Sequence, residues 1–552
     1  MTDTTPQAGP EPAPTAATRA SGSGLRRYRR VLAVLTLAVA AWGLVWAVVT
    51  PTFRSPDEQN HVNSVLRIAH GGGWPAPGDA YIAPVVALAV EEAAYPADAP
   101  GRWVHRDDQR QLVDVVPVPR PERARVDAAN AIGGPASGTE VDQMTQHPPL
   151  YYALGAAVLH ATGLTEARWD VTMLALRLLD VVLLALVVPL AAESARRVTG
   201  SPSAGLVAAA FPLFLPQLGH VMGAVNNDAL VVLTCAVVTY LAARVVTGDL
   251  RWRVVVALGV AIGLGLLVKV MAAFTLPTVL VAYLLARGAR PWARLGRAVA
   301  VGLIALAVGG WWWVRNVVTL GAVQPVGRPR DLTLLATVPD AEVPSTIAGR
   351  LAQSFFGNLS WLEIHLPGAW VVGGSAALTA AGLVALAVPG ARRAAAALLL
   401  LPTALAAGVA FNAWDLHAET GVLVAIQGRY VFGGVTALAV VVGIAVWQVV
   451  RRSERRLAAA VPVAVGLGLA AAGGGLAWAF RAFYLGPGES VGDAVDRWLA
   501  WSPLEAVPLQ VLLGLAAVTG VAALGVAVAW AYRSPHRLAA PRPGTGPTKD
   551  DR

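Results

Sequence analysis

Of the 552 residues, 56% are hydrophobic and 14% charged, with a formal net charge of +9. Repeated apolar stretches near bilayer-spanning length, with a mean hydropathy of +0.56, exclude a soluble globule. The single cysteine, Cys235, lies inside an apolar stretch, which argues against a disulfide framework and a cysteine metal site; the arginines fall in short loops between apolar segments, where they set membrane orientation and give no reason to invoke nucleic acid.

Residues 1–29 read as a disordered cytoplasmic tail, and Arg26, Arg27, Arg29 and Arg30 place the N-terminus inside. The first predicted span, 31–49, is too long for the apolar core of a signal peptide and no small-residue cleavage pattern follows, so it is expected to stay as an anchor. Residues 51–146 carry eight arginines against thirteen acids and form a long external loop, large enough for a small subdomain. Eleven more spans are predicted near 171–195, 203–222, 228–246, 254–268, 270–287, 298–316, 367–388, 394–411, 430–450, 457–480 and 507–532. The apolar stretch 148–163 is short and reads as interfacial or re-entrant.

The expected fold is therefore all-α and polytopic, about 12 transmembrane helices (11–14) with a long first external loop and both termini cytoplasmic. Residues 30–435 carry every polar motif, 436–532 add C-terminal helices without one, and 533–552 read as a second disordered cytoplasmic tail.

With that threading the unusual polar residues gather at the external face. Ionisable groups at membrane depth are costly and mark sites. Ser55-Pro56-Asp57-Glu58 has the form of a helix start, with Ser55 as N-cap and Glu58 closing a capping box. His61 is not explained that way, and Asp57 and His61, four apart on one helix face, have the spacing of a carboxylate that orients an imidazole or of two metal ligands. Asp57, Glu58 and His61 are the catalytic candidates. His147-Pro148-Pro149 reads either as a rigid helix entry or as a substrate contact, Tyr151 either as a substrate contact or as an interfacial aromatic, and Asn227 and Asp228 either as part of an N-cap cluster or as substrate ligands. Lys269 interrupts an apolar run; its side chain either snorkels to the interface or, more economically, meets an anionic partner. Arg315 and Arg429 sit at outer ends of spans, against the positive-inside pattern; an external anion would account for both, and a salt bridge to Asp415 or Glu419 is the competing account of Arg429. Phe355 to Glu363 reads as an amphipathic re-entry into the membrane.

A carboxylate beside several cations at a lipid boundary suits chemistry on a lipid-linked phosphate, and neither a P-loop nor a Rossmann fingerprint points to a soluble nucleotide donor. Pro56-Asp57-Glu58-x-x-His61, His147-Pro148-Pro149-Leu150-Tyr151-Tyr152, Asn227-Asp228-Ala229-Leu230, Lys269, Trp313-x-Arg315-Asn316 and Gln427-Gly428-Arg429-Tyr430 resemble, in order and spacing, the GT-C superfamily of integral membrane glycosyltransferases, and within it the bacterial DUF2142 family.

The resemblance implies a GT-C-like bundle in the bacterial plasma membrane with an external active site. It further implies a polyprenyl-phosphate sugar as donor and co-substrate, and a glycan, lipid or protein acceptor. Asp57 would be the catalytic acid or base, with Lys269, Arg315, Gln427, Arg429 and Tyr430 on the donor phosphate and His147, Tyr151, Asn227 and Asp228 on substrate. Many such enzymes need no metal, although Asp57, Glu58 and His61 leave room for a divalent cation. The rival reading is a transporter or flippase of lipid-linked saccharides, which would need the same cations but would place them at mid-membrane in broken helices.

Overall fold

The computed structural model describes residues 16–93, 116–135, 140–327, 332 and 335–533, with side chains from residue 24 onward. The chain is a multi-pass bundle of α-helices whose described sheet content is one two-residue antiparallel pair, Asn358–Leu359 with Ile364–His365. Among the described residues nine helices are long and apolar enough to cross a membrane, from Gly24–Val49 to Ala506–Arg533. The remaining three of the twelve expected spans are shorter or bent. Pro202–Phe214 and Pro216–Met222 meet at 76°, a break set where Pro216 cannot continue the preceding hydrogen-bond ladder. Trp252–Leu266 and Val270–Leu285 are short apolar helices that meet at Lys269, as expected, and 148–163 forms the short helix Leu150–Thr162.

The tails expected over 1–29 and 533–552 lie largely outside the described residues, but the helix Ala16–Val49 takes in the second half of the first. The last helix packs along the first, and the Arg27 guanidinium donates to the Arg533 carbonyl at 3.0 Å, so the C-terminal helices close the bundle from the N-terminal side.

Within residues 51–146, helices Glu58–Ala69 and Pro84–Glu92 contribute Val65, Leu66, Val85 and Val86 to the main hydrophobic core and are also joined by buried polar bonds. The Asn63 side chain donates to Asp142 at 2.6 Å and accepts from the Ala83 amide at 2.7 Å, while Arg67 donates to the carbonyls of Tyr81 and Gly133. Arg123 pairs with Asp170 at 2.7 Å and donates to the Ala500 carbonyl, so the loop is fastened both to a spanning helix and to the C-terminal turn of Val491–Trp501. The expected amphipathic re-entry at 355–363 is instead the turn and hairpin that follow Val343–Phe356. Ser360 and Leu362 take positive φ there, which a continuing helix does not allow.

Candidate functional site

Four charged side chains from four separate elements form one buried chain. Lys269 Nζ donates to Asp228 Oδ1 at 2.6 Å, Asp228 Oδ2 lies 3.6 Å from Arg429 Nε, and Arg429 Nη2 donates to Asp57 Oδ2 at 3.0 Å. Each position follows from local structure. Lys269 has extended backbone between the end of Trp252–Leu266 and the 3-10 turn Val270–Phe274, so its side chain leaves the helix pair at the break. Asp228 opens the helix Asp228–Val246, and Arg429 lies in the 3-10 turn Gly428–Gly434. Asp57 caps Glu58–Ala69 in the left-handed region at φ 66°, ψ 8°, without a side-chain capping bond.

Gly428 lets Arg429 reach this position. Its amide donates to Ser354 Oγ at 2.7 Å, and an added Cβ would fall 2.1 Å from the Phe355 backbone nitrogen.

The chain is closed and balanced, two cations against two carboxylates. Lys269, Asp228 and Arg429 side chains are 11%, 6% and 6% exposed, whereas that of Asp57 is 25% exposed, so Asp57 is the end of the chain open to an incoming group. Tyr430 presents its ring to both cations, 5.0 Å from Lys269 Nζ and 5.5 Å from the Arg429 guanidinium carbon. Arg429 thus answers to Asp57 and Asp228, and Asp415 and Glu419 are not its partners in this arrangement. Lys269 has the anionic partner its position demanded.

Beside the charged chain runs an aromatic stack. Trp74 stacks on Tyr152 at 4.9 Å, Tyr152 on His61 at 5.9 Å, and the Tyr152 hydroxyl lies 3.0 Å from His61 Nδ1 and 3.4 Å from Asn227 Nδ2. His61 is therefore oriented by Tyr152 and not by Asp57, as its spacing had suggested. Burial, reinforced by Arg429 and Lys269, holds the His61 imidazole well below its usual pKa, and burial with Lys269 lowers His147 to about 3. Both rings are neutral at physiological pH and neither supplies a positive charge to an anion. His147 Nδ1 and Asn227 Oδ1 are buried without a hydrogen-bond partner among the described residues, which leaves polar capacity for a substrate.

Other expected site residues are placed elsewhere. Glu58 is fully buried; its oxygens accept from Arg177 Nε and Nη2, both at 2.9 Å, and from the amides of Phe53 at 3.0 Å and Val225 at 2.9 Å. That occupancy ends both the capping-box reading and a catalytic role. Ser55 is not the N-cap, because the helix starts two residues later. The Tyr151 hydroxyl is committed to both oxygens of Asp180 at 3.0 Å, making it a structural residue and not a substrate ligand. Arg315 is exposed, with its guanidinium over Trp312 at 5.0 Å, and joins none of the contacts of the charged chain. Gln427 lines a tight crevice with Ser55, Gln217 and His220, on the side of Arg429 toward Pro56, that leaves no room for a water molecule.

The trio Asp57, Glu58 and His61 does not fit a divalent cation, since Arg177 neutralises Glu58 and Tyr152 engages His61. Among the described residues no three His, Cys, Asp or Glu side chains are grouped to hold a metal ion.

Gln143, absent from the sequence candidates, donates from Nε2 to Asp57 Oδ1 at 3.1 Å. A neutral amide in a polar loop carries no signal of its own.

The model of the DUF2142 family, described as a predicted membrane protein, matches residues 41–439, well over half of the chain, and the chain belongs to that family. No curated protein matches it in sequence. Among solved structures it is similar to ArnT from Cupriavidus metallidurans in the apo state, at 14% identity over 93% of this chain and 76% of that one, TM-score 0.46. The same enzyme bound to undecaprenyl phosphate gives 16% identity over 90% and 76%, TM-score 0.45. The oligosaccharyltransferase AglB from Archaeoglobus fulgidus, in complex with an inhibitory peptide and a dolichol-phosphate, gives 14% identity over 82% of this chain and 56% of that one, TM-score 0.41. TM-scores below 0.5 at such identities leave the chemistry to be read from this chain's own residues.

Proposed function

We propose that this DUF2142 membrane protein is a glycosyltransferase that moves a sugar from a polyprenyl-phosphate donor to a hydroxyl of a glycan, lipid or protein acceptor on the external face of the bacterial plasma membrane. The observation that carries the reading is the buried chain Lys269–Asp228–Arg429–Asp57, in which two cations able to hold a phosphate end at a carboxylate that is a quarter exposed. The acceptor oxygen attacks the anomeric carbon, and the bond from that carbon to the phosphate oxygen breaks with its electron pair passing to the phosphate. The hydroxyl proton passes to Asp57. Lys269 and Arg429 neutralise the departing phosphate, Arg429 with a planar fork of donors that matches its oxygens. The order of motifs that resembles GT-C enzymes agrees with this division of labour. The positive-inside threading supports cytoplasmic termini and an external site.

The test is to supply purified protein in lipid vesicles with labelled polyprenyl-phosphate sugars and a glycan acceptor. A new glycoside, with release of polyprenyl phosphate, is expected. Passage of intact lipid-linked sugar to the other leaflet without any new glycoside would replace this reading with the transporter.

A further inference from the structure

Asp57 has a second partner that the charged chain does not account for. While Oδ2 accepts from Arg429 at 3.0 Å, Oδ1 accepts from Gln143 Nε2 at 3.1 Å. The backbone of Asp57 lies at φ 66°. A residue with a side chain populates that region sparsely, so the surroundings hold it there. Gln143 is built into those surroundings by a route that bypasses Arg429. It opens the 3-10 turn Gln143–Gln146, and the preceding residue, Asp142, is fully buried. Asp142 Oδ1 accepts from the Met144 amide at 2.9 Å and closes the turn; Oδ2 accepts from Asn63 Nδ2 at 2.6 Å and from Ser64 Oγ at 2.7 Å, both on the helix that Asp57 caps. Burial raises the Asp142 carboxyl above its ordinary value, and these donors oppose the rise by favouring the ionised form. Through Asp142, the turn that carries Gln143 is therefore tied to the helix that Asp57 caps.

We infer that Gln143 is the positioning residue that keeps Asp57 aimed as a base after Arg429 has turned to the donor phosphate. The inference rests on the reading of Asp57 as the base. In the closed state Arg429 is shared between Asp57 and Asp228, so an arriving phosphate competes with both carboxylates for one guanidinium. A phosphate that takes Nη2 strips Asp57 Oδ2 of its donor and leaves that oxygen free to receive the acceptor proton. The amide on Oδ1 is then the bond that fixes the carboxylate plane. An amide suits this task, because it orients the carboxylate without bringing a charge that would compete for the proton.

The test compares wild type, Gln143→Leu and Gln143→His in steady-state transfer from a labelled polyprenyl-phosphate sugar, with affinity for sugar-free polyprenyl phosphate and melting temperature measured on the same preparations. Leucine should lower kcat about 10–100-fold, as loss of orientation at a reacting group does, while affinity for polyprenyl phosphate and melting temperature stay at the wild-type values. Histidine, which retains an N–H donor, should restore most of the rate. An unchanged kcat in Gln143→Leu overturns the inference, as does a fall of affinity or melting temperature in step with kcat, or a histidine variant as slow as leucine. Failure of the underlying reading looks different: wild type forms no glycoside, or Asp57→Asn transfers at the wild-type rate.

Discussion

Arg177 meets Glu58 with two nitrogens and also donates to the carbonyls of Ala47, Thr50 and Pro51, so one buried ion pair welds the end of the first span to the start of the helix Glu58–Ala69. Removing one member of such a pair leaves the other charged and desolvated. Glu58→Gln should therefore destabilise the protein by about 3–5 kcal/mol; thermal unfolding in detergent checks this, and a melting temperature equal to wild type would contradict it. The two site histidines give a pH prediction. His147 holds a pKa of about 3 in the fold against 6.5 unfolded, and burial depresses His61 in the same direction, so the unfolded chain binds protons first as pH falls. Their contribution to stability is complete above about pH 6.5 and is lost progressively as pH drops toward 3. Melting temperature should decline below pH 6.5, and less steeply in His147→Gln; identical slopes for the two proteins would count against neutral burial of His147. At this scale Asp57, Lys269 and Arg429 were legible in the sequence because a charge at the membrane edge needs a reason. Glu58 misled because its partner stands 119 residues away within an apolar segment, where spacing says nothing about contact.

Elements bring the site together through breaks in regular structure. Lys269 lies at a hinge between two helices, Arg429 in the 3-10 turn Gly428–Gly434 that leads into Val435–Val450, and Asp57 at the left-handed cap that opens Glu58–Ala69. Of these, the Lys269 hinge was legible, because a lysine divides two apolar runs. The hairpin at 358–365 was not, since Phe355 to Glu363 carries the alternation of an amphipathic helix while Gly357 ends the helix before it can use it. Gly428 offers the sharpest test. With Phe355 backbone 2.1 Å from an added Cβ, Gly428→Ala must displace the turn that carries Arg429. The variant is expected to lose affinity for polyprenyl phosphate by at least about tenfold, given that a charged hydrogen bond is worth roughly 1.5–3 kcal/mol; binding at wild-type strength would show that the turn can yield without moving Arg429.

At the scale of the molecule, apolar length made the multi-pass fold readable, and the difference between twelve expected spans and the nine full-length ones among the described residues lies in segments that are short or bent at Pro216 and Lys269. How the first and last helices pack together was not readable, because two uniformly apolar segments show no preferred partner in sequence. We propose, from charge asymmetry, a threading with Arg196 inside. In a Cys235→Ala background, Arg196→Cys should resist a membrane-impermeant thiol reagent applied from outside, and rapid labelling would invert the topology. The central claim is that Asp57 accepts the acceptor proton while Lys269 and Arg429 hold the phosphate. The direct measurement is the initial rate of sugar transfer from a labelled polyprenyl-phosphate donor by Asp57→Asn beside wild type, with both proteins shown to be folded. Loss of a general base predicts a fall of about 10²–10⁴-fold, and transfer by the asparagine variant at the wild-type rate would contradict the account.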